Sequence, residues 1–312
     1  MLKSWSKTMN DTKIQRIKTI SEYHKSRGLP MPLHPLISLI DYRTIIHSAD
    51  INKVSWVNDF YLIALKKNLE GSFSYGQQDY DFDEGTLFFI APGQVFRIAV
   101  NQDSPDRSGW MLLVHPDFLW RTALAKSIKN YDYFNYSAHE ALFLSEQEEA
   151  IVSEIVLNIK REYQSNLDKF SQQIILSQIE VLLSYADRFY HRQFLTRKIS
   201  NHQIVEKLED LLNEHFKNKA SQNGLPTVNY LAEQLNLSPD YLSSVLKVTT
   251  GLNTQQHTHE QLIAKAKENL STTNLSVSEI AYELGFEHSQ SFSKLFKNKT
   301  KQSPLEFRAS FK

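Results

Sequence analysis

SVSEIAYELGFEHSQSFSKLFKNKTKQSPLEFR, residues 276–308, has the spacing of two short helices joined by a glycine turn, with a third helix start behind them. Ser276 followed by Glu279 fits a capping box, in which the serine accepts from an early N–H and the glutamate reaches back. Ile280, Ala281 and Leu284 recur at helical spacing, and the small Ala281 suits the close passage of a second helix. Gly285 is the expected residue just past the helix end, because glycine enters the left-handed conformation cheaply. A helix beginning near Ser289 turns Phe292, Leu295 and Phe296 inward and leaves Gln290, Ser291, Ser293, Lys294 and Lys297 outward or flanking. Ser303, Pro304 and Glu306 repeat the start signal, so a further helix carries Leu305 and Phe307 back to the core. The whole is a helix-turn-helix with a basic, polar second helix.

A second copy begins at Thr227, in TVNYLAEQLNLSPDYLSSVLKVTTG. Leu231, Ala232 and Leu235 precede Ile280, Ala281 and Leu284 by 49 positions each, and Leu242, Leu246 and Lys247 precede Phe292, Phe296 and Lys297 by 50. The one extra residue falls in the turn, where length is tolerated most easily. A repeat of this kind arises by accident far less readily than a single motif. Between the copies, Thr254 to Thr272 has no glycine or proline and predicts a helix that fixes the two units relative to each other.

The tandem arrangement resembles the DNA-binding domain of AraC/XylS transcription regulators. The residues that carry the likeness are Ile280-Ala281, Gly285-Phe286, Phe292-Ser293, Phe296-Lys297, Ser303-Pro304 and Arg308, and it covers about a third of the chain. It implies two recognition helices in successive major grooves on one face of double-stranded DNA. Carried over by position, the base-facing residues are Gln290, Lys294 and Ser291 in the second unit and Asp240, Ser243 and Ser244 in the first. Lys247, Ser293, Lys297, Lys299 and Arg308 are the phosphate contacts. Chemistry agrees for the second unit: glutamine pairs bidentately with adenine and lysine donates to guanine, each good contact discriminating by about 1–3 kcal/mol. The outward face of the first unit is short and partly acidic, and lacks the arginine often found there.

The chain has 312 residues and a formal net charge of zero, enough length for two domains with separate cores. The charge is uneven. Lys294, Lys297, Lys299, Lys301, Arg308 and Lys312 face Glu306 alone at the C-terminal end, whereas residues 1–195 hold 21 basic and 23 acidic groups. The positive charge therefore sits with the DNA motif. A lysine run alone is more often a solvated face, and it is the repeat beside it that reverses this weighting. There are no cysteines, which excludes disulfides and thiolate chemistry and suits a reducing cytoplasm. No apolar run has the length of a signal peptide or a membrane span, so a cytoplasmic, membrane-free protein is expected.

Residues 10–30 predict a small helix bearing Ile14, Ile17, Ile20 and Tyr23, ended by Gly28 and Pro30. From Ile37 the texture is that of strands: LISLIDYRTI, DFYLIALKK, GSFSYG, YDFDEGTLFFI, QVFRIAV and SGWMLLVH are short aromatic and branched runs separated by turn formers. They predict a small antiparallel barrel or double-sheet roll. YGQQDYDFDEGTLFFIAPGQVF resembles the cupin-like effector domain common at the N-terminus of the same family. Metal-dependent cupins share closely spaced histidines and a glutamate; here residues 71–100 contain no histidine, and His24, His34, His47 and His115 are isolated. No phosphate loop or nucleophile elbow is present. The expectation is that the chain is not an enzyme and needs no cofactor or metal. A cupin-type enzyme with an accessory helical domain is the competing class, and a protein-interaction module that has lost DNA is a third. Phe73, Tyr75, Phe88, Phe96 and Trp110 are candidates to line an effector pocket, and each could equally fill the core.

From Ser145 the pattern is helical. SEQEEAIVSEIVLNIKREYQS carries Ile151, Ile155 and Ile159 on one side, and DKFSQQIILSQIEVLLSYADRFYHRQF carries Phe170, Ile174, Ile175, Ile179, Leu182 and Leu183. These stripes either pack on the roll or form a homodimer interface, as in members of the resembled family. Leu195 to His202 interrupts the pattern, Ile204 to Phe216 is a further helix, and Lys217 to Pro226 a loop. The expected fold is multidomain α+β: residues 1–144 a cupin-like antiparallel β-roll with flanking helices, 145–196 a helical connecting or dimerisation segment, and 203–312 an all-α DNA-binding domain. Its helix-turn-helix units lie at about 227–248 and 276–298, with the linker helix at about 254–272. The expected function is a DNA-binding transcription regulator responding to a small-molecule effector. The resemblance suggests contact with RNA polymerase, though repression fits the same residues.

Overall fold

The computed structural model describes residues 14–45, 54–67, 85–97, 108–137, 140–165, 170–218 and 220–311. The chain divides into two compact units, Met1–Gln193 and Phe194–Lys312. In the first, strand β1 (Ile14–Ile17) and helix α1 (Ile20–Ser26) precede strands β2 (Ile37–Asp41), β3 (Ser55–Asn58), β4 (Tyr61–Lys67), β5 (Thr86–Ile90), β6 (Val95–Arg97) and β7 (Ser108–Val114). After helix α2 (Leu124–Ser127) come β8 (Leu142–Phe143) and the long helices α3 (Glu146–Gln164) and α4 (Ser171–Thr196). One sheet has the order β2-β7-β4-β5-β8 and is antiparallel throughout. The other has the order β1-β3-β6, and its β1–β3 pair is parallel.

Period-2 alternation decides what each strand buries. On β4, Leu62, Ala64 and Lys66 share a face; Leu62 and Ala64 stand opposite Leu113 and Met111 of β7 and opposite Ile90 and Phe88 of β5. With Ile17, Ile20, Tyr23 and Trp56, the residues Leu62, Ala64, Met111 and Leu113 belong to one buried apolar cluster. Helix α4 is tied to β8 by side chains. The Gln193 amide accepts from the Phe143 N–H (2.9 Å) and donates to the Ala141 carbonyl (3.2 Å), and Arg192 donates to the Phe143 carbonyl (2.7 Å).

Several expectations change. Residues 14–17 are strand, because they pair with β3; the helix starts only at Ile20, where Thr19 and Glu22 form a capping box. Strand β3 was unforeseen, its four residues SWVN being buried throughout. The expected break at 195–202 shrinks to Arg197, since α5 (Lys198–Asn218) begins at once. Within the expected loop 217–226 lies α6 (Ala220–Asn223). The helical stripes divide: Ile155, Ile159, Ile175, Ile179, Leu182 and Leu183 are buried, Ile151 is half-buried, and Phe170 and Ile174 are exposed, as is Val181, which the stripes did not include. Leu305 is exposed, not returned to the core.

The second unit continues with α7 (Val228–Gln234), α8 (Pro239–Thr250), α9 (Thr254–Thr272), α10 (Val277–Glu283), α11 (Ser289–Thr300) and α12 (Pro304–Ala309). Its two helical pairs repeat bond for bond. Asn236 N–H donates to Glu233 and Gly285 N–H to Tyr282, both at 3.0 Å; Leu237 N–H donates to Ala232 and Phe286 N–H to Ala281, both at 2.9 Å. Asn236 (φ 55°) thus holds in the first turn the left-handed place that Gly285 (φ 89°) holds in the second. The second helices end alike, at Gly251 (φ 77°) and Lys301 (φ 66°). Gly285 has a further constraint, because a Cβ there would stand 2.7 Å from the Gly224 carbonyl carbon and 2.9 Å from the Ala220 oxygen. Gly224 is itself held by His215, whose Nε2 lies 2.8 Å from its carbonyl oxygen.

Gly285→Val should therefore cost about 3 kcal/mol, combining left-handed strain with a backbone collision. Lys301→Gly, free of any such neighbour constraint, should gain about 0.5–1 kcal/mol. Urea unfolding followed by far-UV circular dichroism checks both; equal effects of the two changes would refute the turn analysis.

Candidate nucleic-acid interface and effector cavity

Helix α9 separates the repeated units and buries Leu262, Ile263, Ala266 and Leu270 in a core shared with Leu231, Leu242 and Leu246 of the first unit and Ile280, Phe292 and Phe296 of the second. The rings of Phe286, Phe292, Phe296 and Phe307 follow one another at centroid distances of 5.5–5.8 Å. With Phe292 and Phe296 fully buried, Gln290, Ser291, Lys294 and Lys297 are left exposed on α11. His288 at the start of α11 makes no side-chain cap bond, and the Ser291 N–H donates to its carbonyl at 3.0 Å, so the N–H groups ahead of Ser291 are the donors at the positive end of that helix.

Not every expected contact is placed alike. The Ser293 hydroxyl donates to the Ser289 carbonyl at 2.9 Å, and the Ser243 hydroxyl lies 2.9 Å from that of Thr254 at the start of α9. Lys299 pairs with Glu260 of α9 at 3.0 Å. The Arg308 Nε donates to the Leu270 carbonyl in the last turn of α9 at 3.2 Å, where a cation also meets the negative end of the helix. Lys247 is exposed; Asp240, Ser243 and Ser244 are half-buried. Tyr241 beside them is buried, with its ring edge-on to Phe194 at 5.3 Å.

In the first unit the inward faces enclose a cavity of about 280 Å³. Of the expected pocket residues, Phe88 and Phe96 line it. Trp110 does not: its neighbour Met111 takes the inward position on β7, so alternation turns Trp110 away. Phe73 and Tyr75 lie outside the described residues. Lining residues that sequence reasoning missed include Tyr23, Lys66, Met111, Tyr133, Tyr136 and Tyr190. Two signals pointed to Lys66, Tyr133 and Tyr136: the lysine at the end of the apolar face Leu62-Ala64-Lys66, and the tyrosine-rich run YDYFNY at 131–136. Lys66 is buried, with Nζ 5.0 Å from the Tyr42 ring centroid and 5.2 Å from that of Phe88. The Tyr23 hydroxyl donates to Met111 Sδ at 3.1 Å, and burial pushes its pKa up to about 12 against the opposing charge of Arg27. Burial also raises Tyr133. Neutral hydroxyls, one cationic amine and aromatic faces thus wall the space.

A helix-turn-helix domain model matches residues 231–310, and an AraC-like ligand binding domain model matches residues 57–176. The chain belongs to the AraC family. Among its relatives, it is 36% identical over 81 residues to the Msm operon regulatory protein of Streptococcus mutans, covering 26% of this chain and 29% of that protein. It is 24% identical over 280 residues to the uncharacterized HTH-type transcriptional regulator YfiF of Bacillus subtilis, covering 87% and 81% of the two chains. Among solved structures, the C-terminal domain of AraT, a response regulator from Geobacillus stearothermophilus, matches with 32% identity over 34% of this chain and 84% of that one, with a TM-score of 0.31. The chain spans less than a third of the length of the first curated relatives it matches.

The capping boxes of this AraC-type domain carry a pH signature. Ser276 N–H donates to Glu279 at 2.6 Å and Ser303 N–H to Glu306 at 2.7 Å, and these bonds, followed by those of the serine hydroxyls, lower both carboxyl pKa values. A carboxylate with a depressed folded pKa contributes stability that is present above its unfolded pKa and lost as pH falls through the folded one. The urea midpoint of the helical signal should therefore fall from about pH 6 to about pH 4. The fall should be smaller in a Glu279→Gln/Glu306→Gln chain, and an unchanged slope would contradict the assignment.

Proposed function

We propose that this chain is a sequence-specific DNA-binding transcription regulator whose cavity in the first unit receives a small-molecule effector. The observation that carries the proposal is the repeated helical pair on either side of α9, with the polar residues of α11 exposed because its phenylalanines are buried. Gln290 and Lys294 read base edges, with Ser291 beside them, and Lys247 and Lys297 contact phosphate. The N–H donors at the start of α11 suit a phosphate as well. Lys299 pairs with Glu260, Arg308 donates its Nε to the Leu270 carbonyl while its Nη2 is buried without a partner, and Ser243 and Ser293 bond within the domain; in this reading they support the recognition helices. Asp240 and Ser244 lie on the first recognition helix, α8, whose share in base reading is the smaller.

The exposed Phe170, just before α4, and Ile174 and Val181 of α4 form the homodimer contact in this proposal. The regulator acts in the cytoplasm, through contact with RNA polymerase or by occluding it; among the described residues no helix is long and apolar enough to cross a membrane. An effector shifts DNA binding only by binding one state of the protein better than another.

Selection from a random duplex pool tests the reading and should enrich one sequence. Gln290→Ala should relax preference at one base position with a loss of about 1–3 kcal/mol there. Lys297→Ala should weaken all sequences alike and reduce the salt slope by about one. A pool that stays random after selection would refute the regulator reading.

A further inference from the structure

The polar side chains that wall the cavity of the first unit are largely engaged by the protein itself. The Tyr133 hydroxyl donates to the Leu183 carbonyl at 2.9 Å, and the Tyr190 hydroxyl to that of Glu140 at 3.3 Å. The Tyr23 hydroxyl donates to Met111 Sδ at 3.1 Å and is hydrogen-bonded to Arg27 as well. The Gln94 amide is held at both ends, accepting from the Ala91 N–H at 3.0 Å and donating to the Tyr136 carbonyl at 3.4 Å. Lys66 holds its Nζ over the rings of Tyr42 and Phe88, at 5.0 and 5.2 Å. What the wall still offers is ring surface, from Phe88, Phe89, Phe96, Tyr133, Tyr136 and Tyr190. Asn135, which is exposed, and Ser137, which is half-buried, also line the cavity and give it a polar edge where it meets solvent.

The class of ligand follows from what each class would leave unpaired on burial. A sugar carries a hydroxyl on nearly every carbon and would meet hydroxyls and an amide that already have partners. An anion would exchange its hydration for one ammonium that two rings already flank. A cation would meet the like charge of Lys66, with no acidic residue among the described lining. Aromatic faces and edges, in contrast, gain from a further ring beyond the area it buries. We propose that the effector is a neutral two-ring aromatic compound with one hydrogen-bonding group, its rings packed among Phe88, Phe96, Tyr133 and Tyr190 and that group directed to Asn135 and Ser137. A cavity of roughly 150 Å³ holds a single benzene ring, so the volume of about 280 Å³ suits two fused rings. The inference rests on the effector reading of the first unit and adds the ligand class.

The test uses the full chain at neutral pH, with calorimetry and thermal unfolding in indole and 2-naphthol. The counterparts are 2-naphthoate, which keeps the rings and adds a charge, and xylose, which is similar in size but covered with hydroxyls. Indole and 2-naphthol should bind and raise the unfolding midpoint. The naphthoate should bind roughly tenfold more weakly or worse, and xylose should not bind. Ala64 lines the cavity and is fully buried, so Ala64→Leu should fill part of the space and weaken indole binding by roughly tenfold or more. Phe88→Leu removes one ring face without overfilling and should weaken it roughly 2- to 10-fold, which keeps the test open if the Ala64→Leu chain does not fold. Xylose binding, or naphthoate binding as tightly as naphthol, would overturn the proposal and leave the effector reading standing. No binding by any of the four would overturn both. A folded Ala64→Leu chain or a Phe88→Leu chain that binds indole as the unaltered chain does would also overturn the proposal, because the ring would then lie outside this cavity. The DNA selection is independent of every arm.

Discussion

The apolar stripe of α9 is the constraint on which the C-terminal unit depends. Leu262, Ala266 and Leu270 follow at four-residue intervals and are buried, with Ile263 beside them. A leucine buried in this way contributes about 1.5–3 kcal/mol. The ion pair Lys299–Glu260, with side chains 31% and 56% exposed, contributes about 0–1 kcal/mol. Packing therefore holds the two helical pairs to the connecting helix, and the surface charges of α11 are left for other work. Because both pairs share one core, neither can turn on α9 without opening apolar surface to water.

In the first unit the corresponding constraint is the phase of the strands. Once Leu62 and Ala64 face α1, their partners across the sheet must face it too, and Lys66 is carried into the same space two residues on. Behind Tyr23, Nε and Nη2 of Arg27 and Nε1 of Trp56 are buried without a hydrogen-bond partner. The two units thus differ in what they leave unsatisfied: buried donors in one, an exposed polar helix face in the other.

The helical unit was legible in the sequence because its signals are local. Caps, a turn glycine and four-residue spacing act within a few residues, and even the substitution of Asn236 for a glycine follows from side-chain chemistry that tolerates the left-handed region. What was not legible depended on distant partners. Residues 14–17 are strand only because β3 lies alongside, and SWVN carries too little pattern to announce itself. The break near 195–202 looked wider than Arg197 because polar residues there fit a helix surface as readily as a linker. Among the candidate pocket residues, Phe88 and Phe96 were reachable as strand aromatics, whereas separating Trp110 from Met111 required the register of β7 against β4. Arg27 gave no signal at all, because its meaning lies in the burial of a charge.

Footprinting of the full chain on a duplex recovered by selection tests the central claim most directly. Two helical pairs fixed by one connecting helix should protect two major-groove segments on one face of the DNA, about 10–10.5 base pairs apart, for each bound chain. Protection of a single segment, or of two segments whose spacing varies freely between selected sites, would contradict a shared core that sets the distance between the recognition helices.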